Sequence, residues 1–217
     1  RIEGPQIESA YEGTDSGKAG TLAAETSGSP VFEDIYVNNL SITGPLLYAG
    51  GLIGGTRSNT APAVQVNRIH VVGASIQPTA VEDYSDPRIG GIIGRGAIEG
   101  SRIHTDFSAI GSKNGAFIGG VIGISNSGMT VSLSEIDATV DFNNFAEPCN
   151  TSGACVSFVA GITGADYGSL TVNDALVSGK LQEFVDFDPS VRLGGVSGFS
   201  RVPPSRVVVT ADLGTNF

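Results

Sequence analysis

The chain has no tryptophan, one methionine, two histidines and two cysteines. The two cysteines have no His near them in sequence, a weak pattern for zinc, which takes four ligands. Positive charge is also scarce: 12 Lys and Arg stand against 22 Asp and Glu, a formal net charge of -10. Such a surface repels nucleic acid and anionic lipid, and both are excluded as partners. The longest apolar run, Ala116 to Ile124, is too short to insert across a bilayer. No secretory leader is recognisable, and the chain starts at Arg1 rather than Met, which reads as a piece of a longer, processed protein. No Gly-Lys-Ser/Thr loop, EF-hand loop or Gly-Gly-x-Gly-x-Asp repeat occurs. The Gly-x-Ser-x-Gly spacing at Gly194-Gly195-Val196-Ser197-Gly198 has no strand-to-helix context. No cofactor is expected.

What the chain has is glycine, 31 of them. Gly is costly inside helices and useful where backbone must pass close to backbone. Many of them fall in one phrase, clearest as Gly50-Gly51-Leu52-Ile53-Gly54. It returns at Gly90-Gly91-Ile92-Ile93-Gly94 and Gly119-Gly120-Val121-Ile122-Gly123. Weaker copies are Ala160-Gly161-Ile162-Thr163-Gly164 and Gly194 to Gly198. Repetition on this scale marks one structural unit stacked on itself.

A second phrase alternates with the first: an alternating strand, a polar pair, another alternating strand. Its copies place polar pairs at Asn38-Asn39, Asn67-Arg68, Ser101-Arg102, Ser134-Glu135, Asn173-Asp174 and Ser205-Arg206. Alternation marks a strand buried on one face. A polar pair between two such strands shifts the phase and works as a corner, where Asn, Asp and Ser accept left-handed backbone. The residue after each corner should then point inward. Leu40, Ile69, Ile103, Ile136, Ala175 and Val207 are predicted to form one interior column. The Gly phrase is read as a third, nearly continuous apolar strand.

These observations predict an all-β fold, a single-stranded parallel β-helix or β-solenoid. It should have about six turns, three strands per turn and loop insertions at residues 77–88 and 143–157. Residues 1–30, polar and without apolar periodicity, are expected to form an extended N-terminal arm or cap, and 31–217 the solenoid domain. The first and last turns expose strand edges that invite pairing.

The Gly phrase, a variable Gly/Ser/Asn loop, an apolar strand and an Asn-led corner together resemble the GLUG repeat. Residues 50–76 and 119–142 carry the resemblance best. That repeat occurs in bacterial surface adhesins and in non-catalytic regions of some immunoglobulin-A peptidases. The resemblance implies a secreted or surface-displayed β-helical module without its own active site.

Several residues invite a chemical reading. His70, His104 and Asp137 hold the same place in successive repeats, so a solvated polar ladder on one outer face is predicted. Glu82, Asp83 and Asp86 are weak candidates for Ca²⁺, since carboxylate oxygens suit that ion. Cys149 and Cys155 flank a Ser-Gly bend and are expected to form a local disulfide, implying an oxidising compartment. Asn39-Leu40-Ser41 and Asn150-Thr151-Ser152 match the N-glycosylation sequon. The expected role is therefore non-catalytic and extracellular or at the cell surface, as an adhesin segment or a filament-forming subunit. Partners would be other copies of the chain, or a host or matrix glycan or protein. The alternative is a polysaccharide-binding or polysaccharide-cleaving β-helix.

Overall fold

The computed structural model describes residues 1–8, 17–58, 60–79, 86–111, 115–145, 156–179, 190–200 and 207–209. Its strands follow a single winding path. The first winding is β1 (Ile2–Glu3), β2 (Gln6–Glu8), β3 (Lys18–Gly20) and β4 (Ala23–Thr26). The second is β5 (Val31–Asn38), β6 (Ser41–Pro45), β7 (Tyr48–Gly50) and β8 (Ile53–Thr56). The third is β9 (Val64–Thr79), β10 (Arg88–Gly90) and β11 (Ile93–Arg95); the fourth is β12 (Ile98–Gly111), β13 (Phe117–Gly119) and β14 (Ile122–Ser125). The fifth is β15 (Thr130–Phe145), β16 (Val156–Ala160) and β17 (Thr163–Asp166); the sixth is β18 (Ser169–Ser178), β19 (Ser190–Gly194) and β20 (Ser197–Phe199). A last strand, β21 (Val207–Val209), opens a seventh.

Corresponding strands pair in parallel, winding to winding, as in β12 with β9 and β15, or β13 with β10 and β16. The result is one wide sheet of nine strands and two narrow sheets of six. This is the parallel β-solenoid that the repeats predict. Among the described residues no helix is long and apolar enough to cross a membrane.

The core is columnar. Ile69, Ile103 and Ile136 lie in register on the wide sheet. Ile89 and Ile118 do so on the first narrow sheet, and Ile53, Ile93 and Ile122 on the second. All eight are buried, each worth about 1.5–3 kcal/mol relative to exposure.

Three strands per winding holds in the third to sixth windings, the first two having four, and the division differs from the expectation. The two alternating segments and their corner are one long bent strand of the wide sheet, such as β9. The Gly phrase is not one strand but two short ones, divided by a bend at its second and third residues, Gly51-Leu52 in the second winding. Glycine is required there because the two narrow sheets meet backbone to backbone. A Cβ on Gly50, Gly90 or Gly119 would lie 2.1 Å from the carbonyl oxygen of Ile53, Ile93 or Ile122 respectively.

The corner works as expected in four windings. Arg68, Arg102, Glu135 and Asp174 are left-handed, with φ of 55°, 56°, 53° and 53°. In each pair the second residue turns the chain. The second winding corrects the prediction: its equivalent corner is Asp34, φ 55°, and Ile35 rather than Leu40 stands level with Ile69. Leu40 is buried in the same core but follows a different corner, Asn39, φ 54°. The column is therefore Ile35, Ile69, Ile103, Ile136, Ala175 and, by backbone register, Val207.

Within residues 1–30, the described stretches 1–8 and 17–30 do not form an extended arm. Ile2 pairs with Val37, Ile7 with Ile42, Ala19 with Ala49 and Ala23 with Ile53. They form the first winding, and thereby the edge of all three sheets at this end. Gly20-Thr21-Leu22-Ala23-Ala24 is its eroded Gly phrase, with Gly20 level with Gly50 and Ala23 with Ile53.

Candidate functional site

The predicted ladder is present. Alternation turns Ile69, Ile103 and Ile136 inward, so the next residue of each strand faces out. Tyr36, His70, His104, Asp137 and Leu176 stand in one row across five windings. The Tyr36 and His70 rings stack with centroids 5.9 Å apart, and His70 and His104 lie 5.8 Å apart. His104 Nδ1 is 3.0 Å from Asp137 Oδ2. The Arg1 guanidinium sits 5.2 Å from the Tyr36 ring centroid.

Beside this row run the corner side chains. Arg68 donates through Nε and Nη2 to the two carboxylate oxygens of Asp34, the second at 2.7 Å. Hydrogen bonding to Arg68 holds the Asp34 carboxyl below its ordinary pKa. Arg102 donates to Glu135 at 3.2 Å. Exposed pairs of this kind add little stability; their effect is to fix side chains in place. Between the two rows lies an open, shallow recess lined by Asp34, Ile35, Tyr36, Arg68, His70 and Arg102. His70, His104 and Asp137 follow one another in a line and do not converge. Among the described residues no group of three or more His, Cys, Asp or Glu is placed to hold a metal ion.

The other predicted residues fare as follows. Glu82, Asp83, Cys149, Asn150 and Cys155 lie outside the described residues. Asp86 is half-buried; burial pushes its pKa up, against the opposing pull of Arg88. Asn39 is exposed but held at the left-handed corner.

A second surface was not anticipated. In the second to fifth windings the residue two places before the Gly phrase faces away from the main core. On the first narrow sheet this gives the row Lys18, Tyr48, Arg88, Phe117 and Phe158. Opposite it, on the second narrow sheet, run Glu25, Gly55, Arg95, Ile124, Ala165 and Phe199. In the later windings the two rows close on an apolar satellite core of Phe117, Ile124, Phe158 and Ala165, flanked by Tyr167 and Phe199. Phe117 and Phe158 are stacked at 5.1 Å. In the earlier windings the rows carry cations around one ring. Lys18, Arg88 and Arg95 lie 5.7, 5.3 and 5.4 Å from the Tyr48 centroid. Nearby, the buried Asp166 carboxylate accepts from the Ser125 hydroxyl and, at 3.3 Å, from the Gly168 N–H.

The row looks scattered in the sequence because each winding contributes a single residue to it. The shared position of Tyr48, Phe117 and Phe158 before the Gly phrase is the available signal. No family model, curated protein sequence or solved structure matches the chain.

Proposed function

We propose that the chain is a non-catalytic display module of an extracellular or cell-surface protein, a rigid β-solenoid that makes contacts through its outward faces. The observation that carries this reading is the row of Tyr36, His70, His104 and Asp137 beside the paired corner residues. These side chains are held by one another on a flat face, so little ordering remains to oppose binding. The resemblance of the Gly phrase to the GLUG repeat points to an adhesin context. Between the two forms of the role, an adhesin segment is favoured over a filament subunit. Strands of the first winding carry Glu3, Glu8, Lys18 and Glu25, and charge on an edge strand discourages the addition of another strand. The cation-and-aromatic rows give separate support to a polysaccharide-binding form of the same role.

The test combines three measurements on the purified chain. Electron microscopy and sedimentation should show single particles, and a glycan and matrix-protein array should show binding. Incubation with the bound polysaccharides should release no new reducing ends. Fibres would overturn the adhesin form, and released reducing ends would overturn the non-catalytic reading.

A further inference from the structure

The chain has two histidines in 217 residues, and the winding sets them side by side. His70 and His104 are direct partners on neighbouring parallel strands, β9 and β12. Asp137, on β15, is the partner of His104 on its other side. His104 Nδ1 lies 3.0 Å from Asp137 Oδ2. An ionised carboxylate accepts and cannot donate, so in the neutral ring Nδ1 carries the proton and Nε2 keeps its lone pair. The two nitrogens of an imidazole point to roughly opposite sides of the ring. With Nδ1 turned to Asp137, Nε2 is turned toward the His70 side. This is how a carboxylate orients a metal-binding histidine through its second nitrogen.

The spacing suits one shared ion. A metal–imidazole bond is about 2.0–2.1 Å and each nitrogen sits about 1 Å from its ring centre, so two rings on one ion have centroids at most about 6 Å apart. The His70 and His104 centroids are 5.8 Å apart, with the ring planes tilted by 44°. The rings can reach a common ion by turning about their own side-chain bonds, with no movement of the strands. Both reach solvent: His70 is exposed, and the His104 side chain is 34% exposed. The two arginines that line the recess with His70 are each held by a carboxylate, Arg68 by Asp34 and Arg102 by Glu135.

We infer that His70 and His104 together bind one divalent transition-metal ion, while Asp137 holds the His104 ring and does not touch the metal. Two protein ligands suffice for such a site, since water fills the remaining positions and a donor from a bound partner can replace it. Imidazole suits Cu²⁺ and Zn²⁺, with Cu²⁺ the tighter, and does not suit Ca²⁺, which takes oxygen ligands. The site goes beyond the display reading and does not depend on it.

The probe is Zn²⁺ added to the full chain, followed by the imidazole NMR signals, with Ca²⁺ for comparison. Having two histidines, the chain gives two such signals, each assigned by one variant. Both should shift along a single binding curve with Zn²⁺, and neither with Ca²⁺. Cu²⁺ should displace Zn²⁺. Asp137→Ala keeps both ligands and should weaken binding about tenfold. It should also release His104 from its Nδ1–H tautomer, read from the ring nitrogen signals. His70→Gln and His104→Gln should each weaken binding at the remaining histidine by at least as much. All three side chains reach solvent, so the variants should melt as the unaltered chain does.

Separate curves for the two histidines, a shift no larger than that with Ca²⁺, or undiminished binding in either single histidine variant would overturn the inference. Unchanged affinity and tautomer in Asp137→Ala would overturn the role given to Asp137. Zn²⁺-dependent sedimentation as a dimer would overturn the site within one chain in favour of one between copies. The glycan and matrix-protein array judges the display reading separately, whichever way the metal titration falls.

Discussion

The early and late windings differ by one residue in the wide sheet. In the first three, the chain turns a second left-handed corner, at Gly4 (φ 58°), Asn39 (φ 54°) and Gly73 (φ 63°). In the fourth and fifth windings that corner is gone. Thr105 pairs with Val71 and Phe107 with Ala74, so Asp106 alone spans what Val72 and Gly73 span below it. Inward positions nevertheless stay stacked on both sides of the change. Val71, Ala74 and Ile76 continue as Thr105, Phe107 and Ala109, all buried. A left-handed residue therefore lets the chain carry one extra residue without turning its strand over. It is a bulge repeated in register. The corner at Asp34, Arg68, Arg102, Glu135 and Asp174 is the same device kept through five windings.

This comparison can be broken by deletion. Removing Asp106 from the straight winding leaves no spare residue to absorb the change. Phe107 and Ala109 should turn outward and Ser108 inward, because a one-residue slip exchanges the faces of a strand. The expected loss is about 3 kcal/mol or more, read as urea unfolding. Removing Gly73 should cost under about 1 kcal/mol, since it only gives the third winding the straight path of the fourth. Equal damage from the two deletions would mean the left-handed residue is not the spare one.

A smaller effect tests whether the interior slots match across the change. Thr105 is fully buried and its hydroxyl finds no hydrogen-bond partner. Its column neighbours are Val71 and Ala138. Thr105→Val should stabilise the chain by about 1 kcal/mol, and Val71→Thr should destabilise it by about as much. Thermal melts of the two variants should move in opposite directions.

The smallest expected effect is electrostatic and belongs to the early half. Arg68 lowers the Asp34 carboxyl from its ordinary value of 3.8. A lowered carboxylate contributes stability above its unfolded pKa, and that contribution is lost as pH falls through the lower, folded value. Asp34→Asn should flatten the fall of the melting temperature below about pH 4. Both residues are exposed, so the change should be slight; an unaltered acid slope would show that the pair does not persist in solution.

Much of this architecture can be read from the residues, and the exceptions have physical causes. The corners at Arg68, Arg102, Glu135 and Asp174 are legible because apolar alternation brackets each one. Asp34 was passed over for Asn39, since both are left-handed and Asn-Asn has the stronger turn chemistry. The first winding is hard to see because on the narrow sheets its inward side chains shrink to Ala19 and Ala23 and only Gly20 survives of the Gly pair. The His70–His104–Asp137 row follows from strand parity and one repeat length. The cation-and-aromatic rows do not, because they come from different strands and meet only when the Gly bend folds one narrow sheet onto the other.

That winding path has a mechanical consequence. Hydrogen bonds between paired strands run along the stacking axis, and each winding is joined to the next by a single chain. Tension applied between the two termini would therefore peel one winding at a time from an end. Extension should proceed in repeated steps of comparable length, with the interior windings bearing load last.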